Sequence, residues 1–234
     1  MAKAFTTWTV LPHEPVEKLS ENLWTVRGKM PNGKITRVMT VIKLASGKLM
    51  IHNAIALAEP AMAEMKAFGE VGFILVPNGF HRQDARIYKD RFPSAKVLCP
   101  VDSTKRVSQV VAVDGDYSQA PADERVSVGY VEGVKRMEGL VQVESADGAS
   151  LIFNDLVANL PKVGGLTGIA MSPTGRASVP LVSRVLMLKD RKTSGASLTK
   201  LAANPKLRRI IVSHGAAITE GAPAVLHNVA AALA

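Results

Sequence analysis

Cysteine is almost absent from this chain, because Cys99 is the only one among its 234 residues. A single thiol excludes an internal disulfide framework, fits a reducing compartment and excludes metal clusters held by several thiolates. Cys99 lies in the apolar run KVLCP, and we therefore interpret it as a small buried side chain rather than a reactive one.

Long apolar stretches are missing as well. No segment reaches the roughly 18 uninterrupted apolar residues that indicate a membrane span. The N-terminus, MAKAFTTWTVLPHEP, lacks the continuous apolar core of a secretory signal. We therefore expect a cytoplasmic protein with no membrane partner.

Acidic residues are outnumbered, with 20 of them against 29 basic residues, which gives a formal net charge of +9. The basic residues are scattered, there is no run of five or six like charges, and aromatic residues make up only 5% of the chain. The sequence therefore offers no platform on which nucleic-acid bases would stack. We interpret the charge as a solvated basic surface and do not expect a nucleic-acid partner.

Apolar residues make up 47% of the chain and charged residues 21%, as is usual in a folded globular protein. After an N-terminal tail, residues 1–21, two halves follow the same plan: antiparallel strands first, then strands that alternate with helices. The halves cover about 22–125 and 126–234. This pattern predicts a single α/β (α+β) domain, residues 22–234, with two stacked mixed β-sheets flanked by helices.

Local patterns place the turns and helices. The turns PNGK (31–34) and ASGK (45–48) each carry a late glycine, as strand hairpins require. The stretch 161–178 is rich in glycine, proline and serine and predicts a loop or a mobile flap. Helices are predicted at five places: 59–69, 84–92, 178–189, 194–204 and 221–234.

Four polar side chains follow apolar strand runs directly: His52, His81, Asp155 and His214. Ligands and catalytic groups of α/β sheets cluster beyond the carboxyl ends of strands. We therefore predict that these four residues share a site. Each also has a structural alternative, as a hydrogen-bonded loop residue or, for Asp155, the start of a turn.

Two kinds of chemistry are open to such a group. Neutral imidazoles with a carboxylate suit zinc, iron or manganese, which would activate water near neutral pH. Without a metal, a histidine and an aspartate could act as general acid and base. A second aspartate candidate, Asp84, could take part or could stabilise the positive end of the helix that follows it. Glycine-rich phosphate loops and a GxSxG nucleophile elbow are absent.

From about Asn22 onward the chain resembles the metallo-β-lactamase fold superfamily, and within it a bacterial group whose metal motif is degenerate. The resemblance follows four motifs in order. LMIHNA stands where the superfamily has DTG, with His52 or Asn53 in place of its aspartate, and PNGFHRQD stands where it has HxHxDH. LIFNDL matches the strand with the bridging aspartate, here Asp155, and IIVSHG matches the late GHG, here His214. The resemblance implies a four-layer αββα sandwich.

The departures from this resemblance fall on the metal ligands. If Asn78 aligns with the first motif histidine, Phe80, Arg82 and Gln83 occupy the other three ligand positions. The superfamily's third histidine, expected around residues 130–145, is missing. His81 is displaced from ligand register, although a shifted loop could bring it inward. The resemblance therefore implies no complete metal site and no resident cofactor, only weak binding of zinc, manganese or iron by residual candidates: His81, Asp155 and His214.

Three functions follow as hypotheses. In the first, a divergent member of the superfamily binds a small anionic ligand in the ancestral crevice. Its catalytic candidates are His81, Asp84, Asp155 and His214, and its ligand-binding candidates are His52, Asn53, Asn78 and Arg82. The second is a metal-dependent hydrolase that uses His52, His81, Asp155 and His214. The third is a non-catalytic basic protein that docks an acidic partner or RNA through Lys206, Arg208 and Arg209.

Overall fold

The computed structural model of the chain describes residues 4–31 and 35–233. The predicted turn at 31–34 lies, apart from Pro31, outside the described residues. In the described part, seven strands form one sheet in chain order: β1 (Glu17–Ser20), β2 (Leu23–Lys29), β3 (Thr36–Lys43), β4 (Leu49–His52), β5 (Val71–Leu75), β6 (Lys96–Cys99) and β7 (Gly115–Asp116). Strands β1 to β4 are antiparallel, and β4 to β7 are parallel.

The later strands build a second sheet and a small strand pair. They are β8 (Val126–Gly129), β9 (Leu140–Ser145), β10 (Gly148–Ile152), β11 (Ala158–Leu160), β12 (Arg176–Ser178) and β13 (Leu207–Ile211). The second sheet has the order β13-β10-β9-β8, in which β10 and β13 are parallel and the other pairs antiparallel. Strands β11 and β12 form a separate antiparallel pair.

Helices connect these strands. They are α1 (Glu59–Phe68), α2 (Ala85–Arg91), α3 (Thr104–Val107), α4 (Gly165–Ala170), α5 (Leu181–Leu186), α6 (Arg191–Ala202) and α7 (Ala222–Ala231). Within the described ranges, none of the helices has the length and apolar character that crossing a membrane requires.

Three apolar layers hold the sheets and helices together. Side chains alternate between the two faces of a strand, so Leu49 and Ile51 of β4 pack toward α1 and α2, whereas Met50 packs between the sheets. In β13, Ile210 faces α6 and α7 and Ile211 faces the other sheet. Each sheet is therefore apolar on both faces. The result is an αββα sandwich, and the predicted fold class is confirmed.

Each sequence half forms one of the two large sheets, and the N-terminal segment adds a strand to the first sheet. Residues 17–20, predicted as part of a tail, pair with β2 as strand β1. Trp8 packs against Tyr88 with ring centroids 5.1 Å apart and donates its indole N–H to the Leu57 carbonyl at 3.0 Å. The Trp8 side chain thus covers apolar surface near α2, and these contacts hold the N-terminal segment against the rest of the fold.

Two predicted segments differ in the structure. Residues 161–178, predicted as a loop or flap, contain α4 and also β12, whose backbone pairs with β11. Helix α6 begins at Arg191, three residues before the predicted start at Ser194. Asp190 caps it by accepting the Thr193 N–H at 2.8 Å, while the buried Ser194 hydroxyl donates to the Asp190 carbonyl at 2.7 Å.

An ion pair between Asp84 and Arg37 is buried between these layers, with the side chains 0% and 5% exposed. Asp84 also accepts the Ala56 N–H at 3.0 Å. We expect Asp84→Ala to lower the free energy of unfolding by about 3–5 kcal/mol, because the Arg37 charge would remain buried without its partner. Urea denaturation monitored by circular dichroism measures this loss.

The matched control is Asp90→Ala, which breaks the exposed i,i+4 pair with Arg86 on α2. This variant should lose less than about 1 kcal/mol. Equal losses in the two variants would contradict a special role for the buried pair.

Candidate metal centre

Four strand ends meet at one edge of the sandwich. Strands β4 and β5 are parallel, as are β10 and β13, with His52 opposite Leu75 and Ile152 opposite Ile211. The loops that leave these strands carry His81, Asp155 and His214. The Val38 N–H also donates to the Ser213 carbonyl at 2.9 Å, which ties the first sheet to the loop after β13. The parallel register therefore places loops from both halves side by side.

Three of the four predicted residues converge there. His81 Nε2 lies 3.0 Å from Asp155 Oδ1 and 3.2 Å from His214 Nε2, and His214 Nε2 lies 3.3 Å from the same Asp155 oxygen. The three side chains are 9%, 15% and 6% exposed. We call this cluster the His–Asp–His triad.

The outer nitrogens of both rings bond to carbonyl oxygens. His81 Nδ1 lies 3.0 Å from Asn53 Oδ1, and His214 Nδ1 lies 2.8 Å from the Thr36 carbonyl oxygen. The Asn53 orientation is fixed because its amide nitrogen donates to the Val38 carbonyl at 2.8 Å. A carbonyl oxygen can only accept, so each Nδ1 carries the ring hydrogen and each neutral ring turns an Nε2 lone pair inward.

Asp155 is held on three sides. Its Oδ2 accepts the Asn78 amide at 2.7 Å, its N–H donates to Glu138 at 2.9 Å, and its carbonyl oxygen accepts the Ser183 hydroxyl at 2.6 Å. Asn78 Oδ1 also accepts the His81 N–H at 3.1 Å. One asparagine therefore positions two members of the triad, and Oδ1 of Asp155 is left to face the imidazoles.

Glu138 is the residue that the sequence analysis missed. It is 2% exposed and accepts the backbone N–H groups of Asp155 and Leu156. Burial, and next the negative charge of Asp155, raise the pKa of Glu138 to about 8 although these donors act in the opposite direction. Glu138 lies inside the 130–145 window where the resemblance places a third histidine. A lone carboxylate just before the apolar strand LVQV was the available signal.

The triad shifts the proton affinity of Asp155 and of His214. Burial alone would raise the pKa of Asp155, but the positive charge and hydrogen bonds of His81 and His214 hold it well below its usual range. Burial alone would lower the pKa of His214, but its hydrogen bond and attraction to Asp155 raise it.

Other predicted site residues lie outside the triad. The structure brings His81 inward although it is out of motif register, and it places Asp84 in the ion pair with Arg37. Arg82 donates through Nη1 to the Arg106 carbonyl and to Gln109 Oε1. His52 is fully buried next to the site, and its Nδ1 has no hydrogen-bond partner among the described residues.

The triad fits a metal ion by donor type and spacing. Two imidazole nitrogens and one carboxylate oxygen are ligands of zinc and of non-haem iron. A tetrahedral zinc with bonds of about 2.0–2.1 Å holds its ligand atoms about 3.3 Å apart. The three donor atoms are separated by 3.0–3.3 Å, and both outer nitrogens have the second partner typical of metal-binding histidines. The residues therefore fit a single metal ion.

A cavity of about 170 Å³ lies over the triad. Its floor is the triad itself, and Ser183 is the other polar residue in its lining. The walls are apolar and consist of Phe80, Met171, Val182, Leu186 and Met187. A larger cavity of about 420 Å³ beside α7 has no histidine or carboxylate in its lining.

No model of a protein family matches the sequence. No curated protein matches it either. Among solved structures, the DIM-1 metallo-β-lactamase matches with a TM-score of 0.64 and 12% identity, over 97% of this chain and 100% of that one. TMB-1 gives 0.65 and 12%, over 95% and 99%. The FIM-1 metallo-β-lactamase from Pseudomonas aeruginosa, in its mono-zinc form, gives 0.61 and 12%, over 95% and 96%.

The chain therefore has the metallo-β-lactamase fold, as the order of its motifs predicted. At this identity the likeness concerns the fold alone.

The burial of His52 generates a prediction for metal-free protein. Burial, and next the charge of His81, lower the pKa of His52 from 6.5 to about 3 in the folded state. Between these values the unfolded chain binds a proton that the folded chain does not, so stability falls as the pH falls through this range. The full difference in the pKa of His52 between the folded and unfolded states corresponds to about 5 kcal/mol of unfolding free energy.

We expect His52→Leu to remove this part of the acid sensitivity, as measured by urea denaturation from neutral to acidic pH in the presence of a chelator. The exposed His227 provides the control, because His227→Leu should keep the wild-type pH dependence. Parallel stability curves for wild-type protein and His52→Leu would rule out a buried neutral imidazole.

Proposed function

We propose that this protein binds one divalent transition metal through His81, Asp155 and His214 and hydrolyses a small carbonyl substrate. The observation that carries the proposal is the convergence of three acceptor atoms at 3.0–3.3 Å with no donor hydrogen of a neutral ring between them. Acceptors at this distance repel one another unless a cation or a proton lies among them. The site is built to hold positive charge.

The chain's own residues orient the three ligands and surround them with apolar side chains. Asn53 and the Thr36 carbonyl hold the two rings, while Asn78 and Ser183 hold Asp155. The cavity walls around the triad are apolar, and apolar surroundings strengthen the electrostatic interactions of the buried triad. When bound, the metal would supply Lewis-acid polarisation of a carbonyl and a nucleophile from water near neutral pH. The mono-zinc form of FIM-1, which has the same fold, supports a single-metal arrangement.

The proposed reaction adds water across an acyl bond. The water oxygen bonds to the carbonyl carbon, and the C–O or C–S bond to the leaving group breaks. The leaving alcohol or thiol takes one proton of the water, and the carboxylic acid releases the other to solvent.

The other two hypotheses have less support from the geometry. A small anionic ligand needs a nearby cation, but Arg82 is directed to Arg106 and Gln109, and the cavity lining contains neither lysine nor arginine. For the basic docking surface, Arg209 is 4% exposed and paired with Asp147. Both hypotheses stay predictions.

Metal binding is the first test. We expect metal-stripped wild-type protein to bind about one zinc ion per chain in isothermal titration calorimetry. His81→Ala and His214→Ala should each weaken binding at least about 100-fold, because each removes one of only three ligands. His227→Ala, which changes an exposed histidine on α7, should bind like wild type.

Elemental mass spectrometry on untagged protein incubated with zinc, manganese or iron identifies the preferred metal. Metal content well below stoichiometry under every condition would refute the proposal.

Hydrolysis is the second test. We expect zinc-loaded wild-type protein to hydrolyse p-nitrophenyl acetate, the chelated protein to lose this activity, and added zinc to restore it. Asp155→Asn should lower kcat/KM by at least about 100-fold, because it removes the anionic ligand. Activity that survives chelation and Asp155→Asn would place the reaction elsewhere.

A further inference from the structure

We propose that the substrate is an uncharged ester or thioester of an aliphatic acid, and that its acyl chain lies in the apolar cavity over the triad. This inference rests on the proposed function for the reacting bond, but the cavity walls carry it independently. We call the three wall residues at the cavity mouth, Phe80, Val182 and Leu186, the apolar rim.

The apolar rim exposes large side chains that a folded protein ordinarily covers. Val182 and Leu186 are four residues apart on α5 and therefore lie on the same helix face. They are 37% and 41% exposed, and Phe80 across the cavity is 39% exposed. Apolar surface that converges on a few polar groups is the usual form of a ligand site. Covering the rim with a hydrocarbon chain would remove this surface from water.

The apolar walls of the cavity select for an uncharged acyl chain. The floor contains the carboxylate of Asp155, and no residue of the lining is a lysine or an arginine. A carboxylate or phosphate on the part of the ligand that touches the walls would be desolvated without a countercharge. A hydrocarbon chain meets no such cost, so charge complementarity favours it.

The cavity size sets the length of chain that is enclosed. An apolar cavity of about 150 Å³ accommodates a benzene ring. The cavity of about 170 Å³ therefore encloses a short chain of comparable volume. Helix α4, which contacts α5, adds Leu166 and Ile169, which are 86% and 62% exposed. Apolar surface thus continues beyond the cavity for a longer chain.

The test measures binding separately from catalysis. Acetohydroxamic, butyrohydroxamic, hexanohydroxamic and octanohydroxamic acids are titrated into zinc-loaded and metal-stripped wild-type protein by isothermal titration calorimetry. We expect affinity to rise roughly threefold to fourfold for each added methylene until the cavity is full. The same dependence on chain length in metal-stripped protein would support the acyl site. It would do so even if zinc never bound, a result that would refute only the metal proposal.

The matched variants are Leu186→Ser and Leu181→Ser. Both leucines lie on α5 with similar exposure, 41% and 43%, but only Leu186 lines the cavity. Leu186→Ser should weaken octanohydroxamate about fivefold to tenfold and leave acetohydroxamate unchanged. Leu181→Ser should match wild type for both.

Affinity that does not depend on chain length in either form of the protein would overturn the proposal. If Leu186→Ser then abolished binding to phosphatidylglycerol vesicles, or a dimer seen in analytical ultracentrifugation, the apolar rim would belong to a membrane or to a second copy of the chain. Either result would also overturn the acyl-chain assignment.

Discussion

Three hydrogen-bond acceptor atoms of buried side chains lie within 3.0–3.3 Å of one another, and their mutual repulsion is the constraint on which the site depends. His81 Nε2, His214 Nε2 and Asp155 Oδ1 all accept hydrogen bonds in their ordinary states, so the arrangement is stable only around a cation or a shared proton. The same constraint accounts for the raised pKa of His214 and the lowered pKa of Asp155. The hydrogen bonds behind the triad hold these atoms together.

Those hydrogen bonds join the two halves of the chain. Asn78 of the first half donates to Asp155 of the second half. Within the first half, Asn53 accepts a hydrogen bond from His81. His214 reaches back to the Thr36 carbonyl at the start of β3. Since each half contributes both ligands and supports, the site exists only where the two sheets are stacked. Apolar packing between the sheets is therefore a condition for the chemistry.

The site differs from the metallo-β-lactamase motif pattern in a consistent way. In the alignment that the resemblance implies, Asn78 takes the place of the first motif histidine. In the structure its side chain accepts the His81 N–H and donates to Asp155, and His81 Nε2 faces the Asp155 carboxylate. Glu138 lies in the window of the third histidine and binds the backbone of Asp155. The cavity above has apolar walls, which suits a hydrocarbon-bearing substrate.

The fold and much of the triad could be predicted from the sequence. Strand periodicity predicted two stacked mixed sheets flanked by helices, because alternation of side chains is a local property of each strand. The four αββα layers were implied by the resemblance of the motif order to the superfamily. The positions of Asp155 and His214 at strand ends followed from the same periodicity. The position of His81 after an apolar strand also predicted a site residue, although His81 does not align with a ligand position of the superfamily's metal motif.

Tertiary structure alone decided which candidates meet. His52, which was grouped with His81 in the sequence, is buried beside the triad. Asp84, for which a part in the site and a role at the helix start were both open, pairs with Arg37. Glu138 had only a weak sequence signal, because its partners, the N–H groups of Asp155 and Leu156, are distant in the chain. The direction of a loop side chain depends on such long-range hydrogen bonds, and no periodic pattern encodes them.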